Sequence, residues 1–239
     1  MTAFHLSSFA TEPVVVNVAV AANARPAMEE IASAVLAETG VKSNIISGSS
    51  GQISAQIMAG ASYDLFFAAD VNYAQKTFEA GYSSAPPVIY AVGSLVLWSN
   101  DGTDVSDGVK SLLSPSVRKI AVGNPYLAPY GRVAVAAMKK EGVYDKVKGR
   151  LVFGESVSQA SQMVFSKAVS AGFTSKSVVL SPQMAGVGKW VEIPGAEEIG
   201  QGAVVLKHAS GNTGAEKFFQ YVLSPAGKKI LQKYGYKTP

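Results

Sequence analysis

The stretch VVVNVAVAANARPAM, residues 14–28, contains a strand-to-helix unit that the rest of the chain repeats. Its first seven residues are almost all apolar, which predicts a strand buried on both faces of a sheet. Asn23 follows the strand, and Pro26 lies where the first turn of a helix accepts proline. Apolar residues then recur at helical spacing as far as Gly40, which predicts an amphipathic helix.

The same order of strand, polar loop and helix recurs along the 239 residues. This alternation is typical of an α/β protein with parallel sheets. The further predicted strands are residues 42–46, 64–70, 91–99, 119–123, 151–153, 171–174, 189–193 and 203–206.

The composition excludes several functions. The chain has a net charge of +4 without basic runs, which argues against a nucleic-acid surface. It has no cysteine, so thiol redox chemistry and Cys-containing zinc sites are excluded. Its two histidines, His5 and His208, are not near a nucleophile-elbow motif, and no phosphate-binding loop of the form G-x-x-x-x-G-K-[ST] occurs.

Four predicted helix starts share small, polar or glycine residues: 21–23, 48–51, 128–131 and 156–158. The first turn of a helix has unpaired N–H groups and the positive end of the helix dipole, so it attracts anions without a formal charge. Ordinary helix capping explains any one of these loops taken singly. Together, at the carboxyl ends of strands, they predict a small oxyanion pocket.

Charged residues near these loops have structural explanations. Asp64 and Asp70 bracket a predicted strand and are expected to cap or anchor its ends. Arg25 and Arg132 follow two of the loops, and we expect ion pairs, on the surface or between lobes, rather than ligand contacts. Trp98 lies in an apolar strand and is expected in the core.

Six motifs, in this order along the chain, resemble the molybdate-binding proteins of ABC importers. They are AAN at 21–23, GSSGQI at 48–53, DLFFAAD at 64–70, NPYLAPYGR at 124–132, GESVSQA at 154–160 and YGY at 234–236. The resemblance extends from about Val14 to the C-terminus.

The resemblance implies an α/β, two-lobed periplasmic-binding-protein fold of type II, with a ligand cleft between lobes joined by two crossover strands. Lobe one would comprise residues 14–90 plus 204–239, and lobe two residues 91–203. The crossings would fall near residues 91–99 and 200–206. Residues 1–13 would be a flexible N-terminal tail or the remnant of a signal peptide.

The resemblance also implies that neutral hydrogen-bond donors hold a tetrahedral dianion. The donors would be Asn23 and Ser50 from lobe one, and Tyr130, Val157 and Ser175 from lobe two. Val157 offers only its backbone N–H, whereas Asn23 would also bring a side-chain amide. Molybdenum would be bound as the oxyanion, without direct protein ligands to a metal cation and without a cofactor.

The function implied is that of an extracytoplasmic, periplasmic or secreted protein, not an enzyme. It would capture molybdate or tungstate and, as a monomer, deliver it to an ABC permease. A binding protein for sulfate or another tetrahedral oxyanion is the alternative. Two other classes share the fold: porphobilinogen deaminase needs a cysteine, and a transcription regulator needs a DNA-binding domain ahead of residue 14.

Overall fold

The computed structural model describes residues 15–239, so the predicted N-terminal tail and His5 lie outside the described residues. Two five-stranded sheets form the framework. The first has the order β2-β1-β3-β10-β4. Its strands are β1 (Val15–Ala21), β2 (Lys42–Gly48), β3 (Leu65–Ala68), β4 (Val88–Gly93) and β10 (Ile199–Val205).

The second sheet has the order β7-β6-β8-β5-β9. Its strands are β5 (Leu95–Ser99), β6 (Ile120–Gly123), β7 (Leu151–Gly154), β8 (Ala171–Ser175) and β9 (Lys189–Glu192). In each sheet three neighbouring strands pair in parallel, a fourth strand pairs antiparallel with one of them, and the fifth pairs antiparallel with the fourth. The parallel strands point their carboxyl ends in one direction, which is where ligands bind in open α/β sheets.

Helices cover both sheets. Those of the first lobe are α1 (Arg25–Thr39), α2 (Ser50–Met58), α3 (Val71–Glu79), α8 (Thr213–Leu223) and α9 (Pro225–Lys233). Those of the second lobe are α4 (Pro129–Lys140), α5 (Tyr144–Val147), α6 (Val157–Phe165) and α7 (Lys176–Val179). The first lobe has an apolar core of its own, and the main core of the second lobe also includes Ala21, Ala22, Ala69 and Ile199 of the first lobe. Trp98 is fully buried and donates from Nε1 to the carbonyl of Val187 at 2.8 Å, so its predicted core position is confirmed.

The chain passes from the first sheet to the second between β4 and β5, where Ser94 alone separates the strands. The predicted continuous strand at 91–99 was therefore wrong: it is two strands in different sheets. Gly93 ends the first of them, and a Cβ atom there would lie 2.0 Å from Tyr130 Oη. Only glycine lets this tyrosine approach the crossing so closely.

The chain returns between β9 and β10, over residues 193–198. The predicted strand at 203–206 captured only the end of β10, which begins at Ile199 and lies in the first sheet. Gly200 and Gly202 interrupt the apolar pattern of β10, and for that reason the first half of this strand could not be recognised from the sequence. A Cβ atom at Gly202 would lie 2.7 Å from the Cα of Val71, so α3 packs directly on this strand.

Candidate functional site

The four predicted helix starts meet at a small cavity between the lobes. Residues from the ends of β1 and β3 and from the start of α2 form the first lobe's wall, and the starts of α4 and α6 form the second lobe's wall. The lining residues are Ala21, Ala22, Asn23, Ser49, Ser50, Ala69, Ala128, Pro129, Tyr130 and Val157.

Four of the five predicted site residues line this cavity: Asn23, Ser50, Tyr130 and Val157. All four are buried, with at most 4% of the residue surface exposed. Ser175 is buried too, but it is not among the lining residues, and its Oγ lies 2.8 Å from Ser177 Oγ. The structure thus brings four of these residues together and leaves Ser175 in the adjoining layer.

Unpaired backbone donors surround the cavity. Within residues 15–239, the backbone N–H groups of Asn23, Ser50, Tyr130 and Val157 make no hydrogen bond to the protein. Ser50, Tyr130 and Val157 lie in the first turn of α2, α4 and α6, where helix geometry leaves N–H groups without partners. The positive ends of these three helix dipoles add to the attraction for an anion.

Ser50 also directs its hydroxyl group. Its Oγ accepts a hydrogen bond from the backbone N–H of Ala69 at 2.9 Å. Because a serine hydroxyl has one proton to donate, this contact occupies an acceptor lobe and leaves the proton available to a ligand. Ser49, one residue earlier, caps α2 in a capping box with Gln52, which holds the helix start in place.

The side chain of Asn23 does not donate into the cavity, although the resemblance implies that its amide would bind the ligand. Its Nδ2 donates to Gln201 Oε1 at 2.8 Å and to Tyr236 Oη at 2.7 Å. Both amide protons are therefore used inside the protein, and the backbone N–H of Asn23 is the donor that remains for a ligand.

Tyr130 likewise presents its backbone rather than its side chain. Its phenol packs against Gly93 at the crossing, and its buried Oη has no partner among the described residues. Burial, and next the neighbouring Tyr236 and Tyr90 hydroxyls, raise the pKa of Tyr130 well above its usual range. The phenol stays neutral, so no lining residue of the cavity carries a charge.

The charged residues near the cavity form ion pairs, as predicted. Arg25 pairs with Glu29 at 2.7 Å on the exposed face of α1. Arg132 reaches from lobe two to Asp70 of lobe one at 2.9 Å, and also to Glu197 at 3.0 Å. Burial disfavours the charged form of Arg132, but these two carboxylates outweigh it and raise the pKa of the guanidinium.

The two aspartates anchor the ends of β3, which also confirms their prediction. Asp64 accepts the backbone N–H of Asn17 at 2.8 Å and lies 3.2 Å from Nδ1 of His208. Asp70 caps α3 through the N–H of Asn72. Neither carboxylate lines the cavity.

The lobes touch each other across the cavity, so the structure is a closed form. Gly51 N–H donates to the carbonyl of Leu127 at 3.0 Å, and Tyr73 Oη donates to the carbonyl of Tyr126 at 3.1 Å. Gln52 Nε2 donates to Glu155 at 3.2 Å.

Three residues support the Asn23 loop without having been singled out from the sequence: Gln201, Ser177 and Tyr236. Gln201 is fully buried in β10, and a polar residue between two glycines of a strand was the only signal it gave. Tyr236 belongs to the YGY motif, but nothing local to that motif indicated its contact with Asn23. Burial raises the pKa of Tyr236, against the opposing effect of its hydrogen bonds to Ser177 and Asn23, so its hydroxyl keeps its proton.

The part of the chain that the structure describes contains no cluster of three or more His, Cys, Asp or Glu side chains able to hold a metal ion. Over residues 15–239, no helix has the length and apolar character needed to cross a membrane.

Comparison with known proteins identifies relatives along almost the whole chain. The family described as bacterial extracellular solute-binding protein matches residues 16–237. The molybdate-binding protein ModA of Rhodobacter capsulatus is 34% identical over 223 residues, which cover 92% of this chain and 87% of that protein.

Solved structures agree with this. The periplasmic molybdate-binding protein of Azotobacter vinelandii superposes with a TM-score of 0.89 at 33% identity, covering 94% of this chain and 99% of that one. The predicted two-lobed α/β fold is thereby confirmed. The sulfate-binding protein SubI of Mycobacterium tuberculosis has a TM-score of 0.81 at 14% identity, covering 94% of this chain and 87% of that one, which shows a shared fold alone.

Proposed function

Because the chain belongs to the family of bacterial extracellular solute-binding proteins, we propose that it captures molybdate between its lobes and delivers it to an ABC permease. Its relatives are named as binding proteins, which confirms the prediction that it is a solute-binding protein and not an enzyme. One observation carries the choice of ligand class. The cavity has neutral walls and unpaired N–H donors contributed by both lobes.

The proposed ligands of the anion are the backbone N–H groups of Asn23, Ser50, Tyr130 and Val157, together with Ser50 Oγ. Hydrogen bonds to a charged acceptor are about twice as strong as neutral ones, and the closed lobes strengthen them by excluding water. Ser175 supports the site from the adjoining layer through its contact with Ser177. This assignment needs no cation and no cofactor.

The size of the cavity and the absence of a carboxylate from its walls determine which anions fit. Molybdate, tungstate and sulfate are dianions with four acceptor oxygens, so the size of the cavity is what distinguishes sulfate from the two larger ions. Phosphate retains a proton near neutral pH and requires an acceptor, and no carboxylate lines the cavity. Tungstate is therefore included in the proposal, and sulfate is the alternative ligand.

Lobe closure provides the mechanism of capture. The anion binds the helix starts of one lobe, the other lobe closes over it, and the closed form docks on the permease. We place the two hinge segments at residues 93–95 and 193–198, since these connect the sheets. Lobe one then comprises β1–β4, β10 and the C-terminal helices, and lobe two the chain between the hinges.

The proposed setting is extracytoplasmic, as the family description states for its members, and the periplasm is the specific compartment. The proposed partners are the anion and the permease. The protein acts as a monomer, because both walls of the cavity come from one chain.

Thermal unfolding with each anion tests this function. A ligand that binds only the folded state at 100 times its dissociation constant stabilises the protein by about 2.7 kcal/mol, which raises Tm by roughly 5–10 °C. We expect this shift with molybdate and tungstate and little change with sulfate or phosphate. A shift with sulfate alone would make sulfate the ligand in place of molybdate. The absence of a shift with any anion would overturn the proposal.

The pair between Arg132 and Asp70 predicts a salt-sensitive contribution to closure. Arg132→Gln removes a link between the lobes and is expected to weaken molybdate binding about fivefold, the effect of about 1 kcal/mol. Calorimetric titration at low and high NaCl would measure it, and the difference from wild type should shrink as salt screens the pair.

Lys148→Gln is the matched control for Arg132→Gln. It removes the same charge from an exposed pair with Asp145 inside lobe two, so it should leave the affinity unchanged. Equal affinities of wild type and Arg132→Gln at low salt would show that the ion pair does not assist closure.

A further inference from the structure

Two hydroxyl groups of lobe two contact the loop that carries Asn23 in lobe one. Ser177 Oγ donates to the carbonyl of Asn23 at 2.8 Å. Ser158 Oγ donates to the carbonyl of Ala22 at 3.4 Å. The two carbonyls flank the backbone N–H of Asn23, which is one of the proposed anion donors. Lobe two therefore donates hydrogen bonds to the carbonyl groups on both sides of the Asn23 N–H group.

Ser177 is the better-placed of the two serines. It is 2% exposed, and its Oγ lies 3.0 Å from Tyr236 Oη and 2.8 Å from Ser175 Oγ. Tyr236 in turn accepts from Nδ2 of Asn23 at 2.7 Å. The carbonyl and side chain of Asn23, the hydroxyl of Tyr236 and the hydroxyl of Ser177 thus form one buried hydrogen-bonded group.

This group spans the two lobes. Tyr236 packs in the apolar core of lobe one, on the same side as the Asn23 loop. Ser177 lies in α7, directly after β8 of the second sheet. Ser177 therefore belongs to one lobe and its partners Asn23 and Tyr236 to the other, and their contacts link the two lobes in the closed form.

The anion and lobe two act on the same short loop. The peptide that offers its N–H to the anion, between Ala22 and Asn23, offers its carbonyl to Ser158, and the following carbonyl accepts from Ser177. Hydrogen bonds in such chains polarise one another, so an anion on the N–H strengthens the bond from Ser158 to the carbonyl of the same peptide, while Ser177 holds the next carbonyl of the loop in place. Ser177 does not line the cavity, so it acts on the anion only through the loop.

We propose that Ser177 is a positioning residue that couples anion binding to lobe closure, by holding the Asn23 loop of lobe one from lobe two. The inference rests on the proposed function, because it takes the anion to bind at the backbone N–H of Asn23. In this proposal Ser177 slows the release of the anion after closure and does not change the rate at which the anion first binds.

The test compares the release and capture of molybdate in wild type and Ser177→Ala. Release is followed by chasing ⁹⁹Mo-labelled molybdate with an excess of unlabelled molybdate. We expect release to be about fivefold to tenfold faster in the variant, as for loss of one buried hydrogen bond, and association to stay within about twofold. Thermal unfolding of the anion-free proteins checks that both are folded.

Ser181→Ala is the matched control. Ser181 is also buried near α7, but its hydroxyl donates to the carbonyl of Val178 within lobe two, at 2.7 Å. It should release molybdate at the wild-type rate. If Ser177→Ala and Ser181→Ala release it equally fast, Ser177 has no special role in closure.

A double-mutant cycle with Tyr236→Phe separates coupling from general destabilisation. Since Tyr236 and Ser177 belong to one group, the double variant should release molybdate much less rapidly than the product of the two single effects predicts. Independent, multiplicative effects would overturn the inference. If the wild type binds no molybdate, the proposed function fails; if it binds but Ser177→Ala releases it at the wild-type rate, the inference alone fails.

Discussion

Ser50→Asp is expected to abolish molybdate binding while the protein remains folded. The new carboxylate would lie at the start of α2, where a negative charge favours the helix, and could still accept the N–H of Ala69. It would also stand beside the anion. Two unit charges about 4 Å apart repel by about 4 kcal/mol at an effective dielectric constant of about 20, and molybdate carries two charges. The affinity should fall at least about 1000-fold.

Calorimetric titration with molybdate measures this loss, and thermal unfolding without anion confirms the fold. Ala55→Asp is the control, because it adds the same charge to the exposed face of the same helix. It should bind as the wild type does. Binding by Ser50→Asp within about tenfold of wild type would place the anion elsewhere.

Gly131→Ala is expected to destabilise lobe two and to weaken binding together. A Cβ atom at residue 131 would lie 1.9 Å from the carbonyl oxygen of Gly123 and 2.6 Å from its carbon. These are backbone atoms of β6, so the start of α4 must move away from the strand. Overpacking of this kind costs about 1–3 kcal/mol. The neighbouring Tyr130 N–H moves with the helix start, so molybdate loses a donor.

Gly149→Ala is the matched control for this substitution. Gly149 is exposed, and a Cβ atom there would meet nothing within 4 Å. Denaturant unfolding should show a loss for Gly131→Ala alone, and titration should show weaker binding in the same variant. Wild-type stability of Gly131→Ala would mean that β6 and α4 are less closely packed than described.

The order of strands and helices could be predicted from sequence because local patterns determine it. β1, β3 and β6 are short apolar runs, each followed by a small or polar helix start, and these are local signals. The crossings between the sheets were harder to predict. Residues 88–99 read as apolar almost throughout, and nothing local shows that Gly93 ends one sheet.

The candidate site divides in the same way. The four helix starts that form the walls could be predicted from local patterns, whereas the individual donors Asn23, Ser50, Tyr130 and Val157 came from the resemblance to molybdate-binding proteins. Their supporting contacts could not be predicted. Asn23 meets Gln201 across 178 residues of chain and Tyr236 across 213, and only the folded chain brings them together. The direction of the Asn23 side chain depends on those distant partners.

Crystals grown with molybdate and measured at the molybdenum absorption edge test the central claim most directly. Anomalous scattering locates the molybdenum atom without reference to any assumed site. We predict a single strong peak in the cavity between the lobes, within hydrogen-bonding reach, through its oxygens, of the N–H groups of Asn23, Ser50, Tyr130 and Val157. A peak outside this cavity, or none in crystals of the closed form, would contradict the account.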